Sequence, residues 1–314
     1  MLLALGTATA VSCAATPAAR WLAIRQGALD KPNERKVHST PIPTSGGVAI
    51  IIGFLVAAGA VATGVTAHLE ARQLAAIIIG ALMVAVMGLV DDRLDLPAKL
   101  KLALQIVATT PLLVGGVTIS FLSNPFPPGG MVALPVWLSW LVTAGWVVAV
   151  TNALNLIDGL DGLAAGVSTI ACLALAVIAL NWGQPAVAVL CAALAGGTLG
   201  YLPWNWHPAR IIMGDTGAYF LGYVIGAITV LGAFKMAATI AILVPILVLA
   251  VPLFDTVLSP VRRYLHGKPA FRADRDHLHH RLLAMGLSEQ RVVLLTYAVT
   301  AVCGAIAIWI SRRG

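Results

Sequence analysis

The chain has 314 residues, 59% of them hydrophobic and only 11% charged, with a formal net charge of +7 and a mean hydropathy of +0.92. Soluble domains carry about 25% charged residues, so this balance excludes a soluble globular protein. The excess positive charge reads as membrane topology, and no nucleic-acid partner is needed to explain it.

Ten apolar stretches approach the ~20 residues that a helix needs to cross a bilayer. They run roughly 2–24, 46–66, 72–90, 100–119, 133–152, 162–181, 186–203, 213–232, 237–258 and 292–311. Only Asn181 to Pro185 separates the sixth from the seventh. The expected fold is all-α, a polytopic transmembrane bundle of ten or eleven helices forming one integral membrane domain over 1–314. Residues 260–291 make a cytoplasmic loop subregion. The first stretch lacks a basic n-region and is followed by Arg20 and Arg25, so it reads as a retained helix rather than a cleaved signal. Cys13, Cys172, Cys191 and Cys303 are isolated inside apolar stretches, with no disulfide or metal spacing.

Alternate connections collect Arg20, Arg25, Lys31, Arg35 and Lys36, then Arg93, Lys99 and Lys101, then Arg210, then seven Arg and Lys from Arg262 to Arg291. By the positive-inside rule these connections are cytoplasmic and both termini face outward. Twelve of the thirteen acidic residues fall on the same side, Glu70 being the exception. Acidic residues at membrane depth or its edge are costly and usually functional.

The first cytoplasmic connection, Lys31 to His38 with Pro41, Pro43 and Gly46-Gly47, reads as an ordered basic loop. It is either a phosphate-holding segment or topology charge alone. The second, Val90 to Lys101, holds Asp91, Asp92 and Asp95 as DDxxD, followed by Lys99 and Lys101. Adjacent carboxylates repel, so such a pair calls for a cation or for solvent. The set suits a site holding metal and phosphate together, and a solvated loop is the alternative.

The third, Asn152 to Leu163, repeats polar residues every third position: Asn152, Asn155, Asp158 and Asp161. That spacing cannot keep four residues on one narrow helix face. Gly159 and Gly162 therefore place the helix end near Asp158, with Asp161 either a cap for the next helix or a ligand. Amide and carboxylate oxygens suit Mg²⁺ rather than zinc. The next connection, Trp204 to Ala218, leads into a helix N-terminus whose free N–H groups and dipole favour anions. Asp215 there is a helix cap or a metal ligand, and Trp204 and Trp206 read as interfacial anchors. The last connection contains His277, His279, His280 and Arg281 among further Arg residues. Interleaved Arg repels a metal, so an anion-binding loop is expected.

DDRLD with its trailing lysines, NALNLIDGLDGLAAG, PARIIMGDTGAYFLG and ADRDHLHHRL, in order over residues 30 to 300, resemble the motif set of the polyprenyl-phosphate N-acetylhexosamine-1-phosphate transferases. PARIIMGDTG and HLHHRLL are similar to the branch that takes UDP-GlcNAc, rather than the one that takes UDP-MurNAc-pentapeptide. Ala218 departs from the Ser that many relatives carry after GDTG. The resemblance implies transfer of GlcNAc-1-phosphate from UDP-GlcNAc to undecaprenyl or decaprenyl phosphate, releasing UMP, in a bacterial cytoplasmic membrane. It implies Mg²⁺, for which Mn²⁺ could substitute, held by Asn155 and Asp215. Asp91 and Asp92 would orient or deprotonate the lipid phosphate, and Lys101 would neutralise phosphate, Lys99 being the alternative. Asn152, Asp158 and Asp161 would contact nucleotide, and His277, His279, His280 and Arg281 the diphosphate. The expected partners are UDP-GlcNAc, polyprenyl phosphate and the lipid bilayer; a homodimer is left open and nucleic acid is excluded. A transporter would carry polar residues at mid-membrane, and the spans here are nearly pure Ala, Leu, Ile and Val. A CDP-alcohol phosphotransferase would need a DGxxAR signature that the chain lacks.

Overall fold

The computed structural model describes residues 1–30, 41–60, 69–123, 130–233, 245–254 and 278–312. Ten helices are labelled in chain order. They are α1 (Leu2–Gln26), α2 (Gly47–Ala60), α3 (Ala71–Leu94), α4 (Ala98–Gly115), α5 (Val136–Ile157), α6 (Leu163–Asn181), α7 (Pro185–Asn205), α8 (Gly214–Ala233), α9 (Leu278–Ala284) and α10 (Glu289–Ser311). Residues 245–254 add a further, mostly helical stretch. Among the described residues eight helices are long and apolar enough to span a membrane, all but α2 and α9 of the labelled set. The architecture is an all-α polytopic bundle, as expected. Most of the expected stretch 237–258 lies outside the described residues.

Two helices overrun their apolar stretches. α3 continues through Asp91 and Asp92 to Leu94, and α5 continues through Asn152 and Asn155 to Ile157. Hydropathy cuts a helix where it turns polar, whereas the backbone ladder continues until a residue leaves helical φ/ψ. That residue is Asp95 in the left-handed region (φ 47) for α3 and Asp158 for α5. Two short antiparallel ladders escaped the sequence reading. β1 (Leu29–Asp30) pairs with β2 (Ile42–Pro43), and β3 (Phe121–Ser123) with β4 (Met131–Ala133). Strands of two or three residues are too short to show alternation.

α8 is the central helix, buried almost throughout and packed against α3, α5 and α2. α7 joins α1, α2 and α6, and α6 also meets α10. Association of apolar helices in lipid relies on close packing of small residues, and α8 does so on several sides. A Cβ at Gly88 of α3 would lie 2.6 Å from the Asp215 backbone. A Cβ at Gly47 of α2 would fall 2.2 Å from Gly217 Cα. These approaches bring the start of α8 hard against the end of α3. The extended chain before α2 is laced onto the chain before α8: Ile212 N–H donates to Pro43 O (2.9 Å), and Gly46 and Gly47 N–H donate to Ile212 and Met213 O (2.9 and 3.0 Å).

Candidate active site

One end of the bundle gathers the C-terminal ends of α3 and α5 with the N-terminal ends of α4 and α8. The first four N–H groups of a helix lack intrahelical acceptors, and in α8 a carboxylate from another helix supplies one. Asp92 Oδ1 accepts Asp215 N–H (2.7 Å), and Asp92 Oδ2 accepts Thr216 Oγ1–H (2.7 Å) and, more loosely, Thr216 N–H (3.3 Å). Gly214 sits at φ 73 directly against that carboxylate, where a Cβ would fall 2.6 Å from Asp92 Oδ2. The α8 cap is therefore Asp92, and Asp215 stands inside the first turn with its side chain free for other partners.

Asp215 Oδ1 accepts Asn155 Nδ2–H at 2.6 Å, and its Oδ2 lies 3.9 Å from Lys101 Nζ. Lys101 Nζ is 2.8 Å from Asp91 Oδ2 and 3.8 Å from Asp95 Oδ1, but Asp95 is wholly exposed. Lys99 is exposed as well, so Lys101 is the lysine that reaches the cluster. The Asp91 side chain is fully buried. Its Oδ1 accepts Leu96 N–H (2.9 Å), and its Oδ2 accepts the Tyr219 hydroxyl (3.1 Å) in addition to Lys101. Each adjacent aspartate thus has both oxygens engaged by protein donors.

The polar end of α5 divides. Asn152 pairs with Gln105 of α4, donating to Gln105 Oε1 at 2.6 Å, so its amide is held by the scaffold beside the cluster. Asn155 donates to Asp215, which leaves its side-chain carbonyl oxygen without a donor among the described residues. Asp158 ends the helix half-buried. Burial, followed by the negative charges of Asp215, Asp92 and Asp161, pushes its carboxyl well above the usual carboxylate range.

Asp161 does not cap α6. The cap is Gly162 at φ 78, and Gly162 N–H donates to Asn205 Oδ1 (3.0 Å). Asp161 Oδ2 instead takes Ala209 N–H (2.9 Å) and stands 3.0 Å from His207 Nδ1, which is also 3.3 Å from Glu289 Oε2. His207 thereby ties the turns before α6 and α8 to the start of α10. Tyr297 completes that tie by donating to Gly162 O (2.5 Å) and packing near Trp206 at 6.3 Å between ring centroids. His277 lies outside the described residues, as do the basic residues of 31–38 and 262–275. His279 and His280 belong to α9, and Arg281 is exposed on it.

The donor set fits a hard divalent cation. The Asn155–Asp215 hydrogen bond uses Asp215 Oδ1 and the Asn155 NH₂. Asp215 Oδ2, 3.9 Å from Lys101 Nζ, and the Asn155 side-chain carbonyl are thus the oxygens of the pair that could turn to a cation. The Lys101 ammonium lies against Asp91 and Asp215, Asp92 sits on the α8 turn that carries Asp215, and Asp158 feels the negative charge of Asp92 and Asp215. Oxygen ligands and excess negative charge are what Mg²⁺ requires. Thr216, Tyr219, Gln105 and His207 were missed from sequence. Tyr219 and Gln105 left a trace, lying four residues after Asp215 and Lys101 respectively and hence on the same helix faces.

Comparisons with known proteins give the family. A family model described as glycosyl transferase family 4 matches residues 74–233. A probable undecaprenyl-phosphate N-acetylglucosaminyl 1-phosphate transferase of Bacillus subtilis is 41% identical, over 93% of this chain and 80% of its own. A decaprenyl-phosphate N-acetylglucosaminephosphotransferase of Mycobacterium tuberculosis is 36% identical, over 98% of this chain and 82% of its own. A phospho-N-acetylmuramoyl-pentapeptide-transferase of Moorella thermoacetica is 35% identical, over 85% of this chain and 84% of its own. With its spans, its clustered carboxylates and these matches in hand, the chain belongs to glycosyl transferase family 4.

Proposed function

We propose that this protein transfers GlcNAc-1-phosphate from UDP-GlcNAc to polyprenyl phosphate, giving polyprenyl-diphosphate-GlcNAc and UMP. The reaction takes place at the cytoplasmic face of a bacterial cytoplasmic membrane, as the first membrane step of an envelope glycan pathway. The observation that carries the reading is the convergence of Lys101, Asn155 and Asp215 from three separate helices into one polar cluster at the end of an apolar bundle. The relatives that cover most of the chain and carry GlcNAc-phosphate transferase names support the sugar.

The lipid phosphate oxygen attacks the sugar-linked phosphorus and UMP leaves. Asp215 and the Asn155 carbonyl would hold Mg²⁺, which would supply Lewis-acid stabilisation of the negative charge developing on the transferred phosphate. Lys101 neutralises the incoming phosphate. Asp91 fixes that lysine, and Asp92 fixes the α8 turn that carries Asp215. With their oxygens saturated by protein donors, both aspartates act by positioning rather than as bases. A phosphate monoester is already largely ionised near neutral pH, so little base catalysis is required. Asp158 and Asp161 line the nucleotide side, as does Asn152, which Gln105 holds in place. His277, His279, His280 and Arg281 hold the diphosphate from the segment before α10.

Radiolabelled UDP-GlcNAc, a short polyprenyl phosphate and Mg²⁺ with the purified protein are expected to give a lipid-linked sugar. UDP-GalNAc and UDP-MurNAc-pentapeptide serve as competitors. The Moorella relative makes the pentapeptide substrate the second reading. Preferential turnover of that substrate would move the chain to the other branch, and no lipid-linked product with any of the three would refute the transferase.

A further inference from the structure

We infer that Tyr219 is a positioning residue for phosphate transfer, acting through Asp91 to hold the Lys101 ammonium against Asp215. The inference rests on the transferase reading above and adds a residue that neither the motifs nor the polar cluster had singled out.

A lysine carries an ammonium on four rotatable bonds, whose rotamer freedom must be overcome before the charge is fixed. Lys101 is 22% exposed, so it reaches the cluster from a partly open position in the first turns of α4. Its shortest contact is Asp91 Oδ2, at 2.8 Å. The location of the ammonium is thus only as definite as that of the Asp91 carboxylate.

Two donors other than lysine set that carboxylate. Leu96 N–H holds Oδ1 from the α3–α4 turn, and Tyr219 O–H holds Oδ2 from α8. The first is local, five residues along the chain. The second crosses to the helix that carries Asp215, one turn away on the same face. Tyr219 is buried, 2% exposed, and its ring lies within the apolar core. Because one hydroxyl ties α8 to Asp91, and Asp91 ties Lys101, the 3.9 Å separation of Lys101 from Asp215 is held from both sides. Without the hydroxyl, α3 stays joined to α8 through Asp92 and Gly88, but the Asp91 carboxylate loses its Tyr219 donor and holds Lys101 less firmly against Asp215.

Tyr219→Phe removes the oxygen and leaves the ring. One hydrogen bond to a charged group sets the scale. The expected result is a kcat lower by about tenfold, equivalent to about 1.4 kcal/mol, with KM for UDP-GlcNAc within about twofold of wild type. Active-site titration of each preparation normalises for any unfolded fraction. The discriminating measurement is a double-mutant cycle with Lys101→Ala. If Tyr219 acts through the lysine, Tyr219→Phe has no further effect in the Lys101→Ala background. A merely structural tyrosine would multiply the two deficits, and that outcome overturns the inference, as does a Tyr219→Phe kcat within twofold of wild type. Wild-type protein that makes no lipid-linked sugar counts instead against the transferase reading, which separates the two failures.

Discussion

Asp92→Asn tests whether the second aspartate of the DD pair serves the fold or the substrate. In the native structure its two oxygens satisfy three donors of the first turn of α8: Asp215 N–H, Thr216 Oγ1–H and Thr216 N–H. An asparagine keeps one oxygen and turns an NH₂ toward the remaining donors, so at least one charge-assisted bond becomes a donor–donor contact. Loss of such a bond costs about 1.5–3 kcal/mol, and removing a negative charge from a helix N-terminus costs about 0.3–1 kcal/mol more. Relief of repulsion from Asp91 and Asp215 and easier burial of a neutral group offset part of this. The net expectation is a destabilisation of about 2 kcal/mol, or roughly thirtyfold in the unfolding constant. Thr216→Val, which deletes only the hydroxyl donor, is expected to cost about 1 kcal/mol. Unfolding in mixed detergent–dodecyl sulfate micelles, followed by helicity, measures both, and the double variant is expected to be less than additive because the two changes break a shared bond. Asp92→Asn protein as stable as wild type but inactive would refute the capping argument and return Asp92 to direct contact with substrate.

The remaining expectations concern the cluster and the topology. Asp215→Ala should lower turnover on the order of a thousandfold while the protein remains extractable and folded, because the change also relieves like-charge crowding; near-normal turnover removes Asp215 from the metal site. Chelation with EDTA should abolish transfer and readdition of Mg²⁺ should restore it, and full activity in EDTA would refute the cation. Asp158 has a carboxyl raised in the native state, so between about pH 4, where an unfolded aspartate titrates, and its raised value the native form binds more protons than the unfolded form. Stability of the metal-free protein therefore falls as pH rises through that window. Asp158→Asn should flatten the slope; an unchanged slope in urea titrations at several pH values shows that the carboxyl is ionised natively. A tag after Gly314 should be cleaved by protease added outside intact cells, and protection would invert the topology.

The apolar spans were legible in sequence because each helix must be long and apolar enough to cross lipid irrespective of its neighbours. Lys101, Asn155 and Asp215 stood out because polar residues at the ends of apolar helices are costly unless used. The helix ends were less legible. The end of α5 near Asp158 was legible from Gly159 and Gly162, but Asp91 and Asp92 lie on helix that continues past its apolar stretch, and hydropathy is blind to a polar last turn. Sequence left Asp161 open between capping α6 and serving as a ligand, because local spacing lets it reach the next helix, whereas in the fold that carboxylate is taken by Ala209 and His207, more than forty residues away.

By itself, then, the amino-acid order determined that this is a membrane bundle with its acidic and basic chemistry at one end, since burial in lipid and charge asymmetry act residue by residue. Which carboxylate would cap a helix, which would hold a lysine and which would stay open to a cation was decided only in three dimensions. Asp91 and Asp92 are neighbours with the same side chain, yet one lies under Tyr219 and Lys101 and the other against the α8 N–H groups. Their difference arises because α8 crosses α3 at Gly88, a contact made by residues more than a hundred positions apart, which no local pattern encodes.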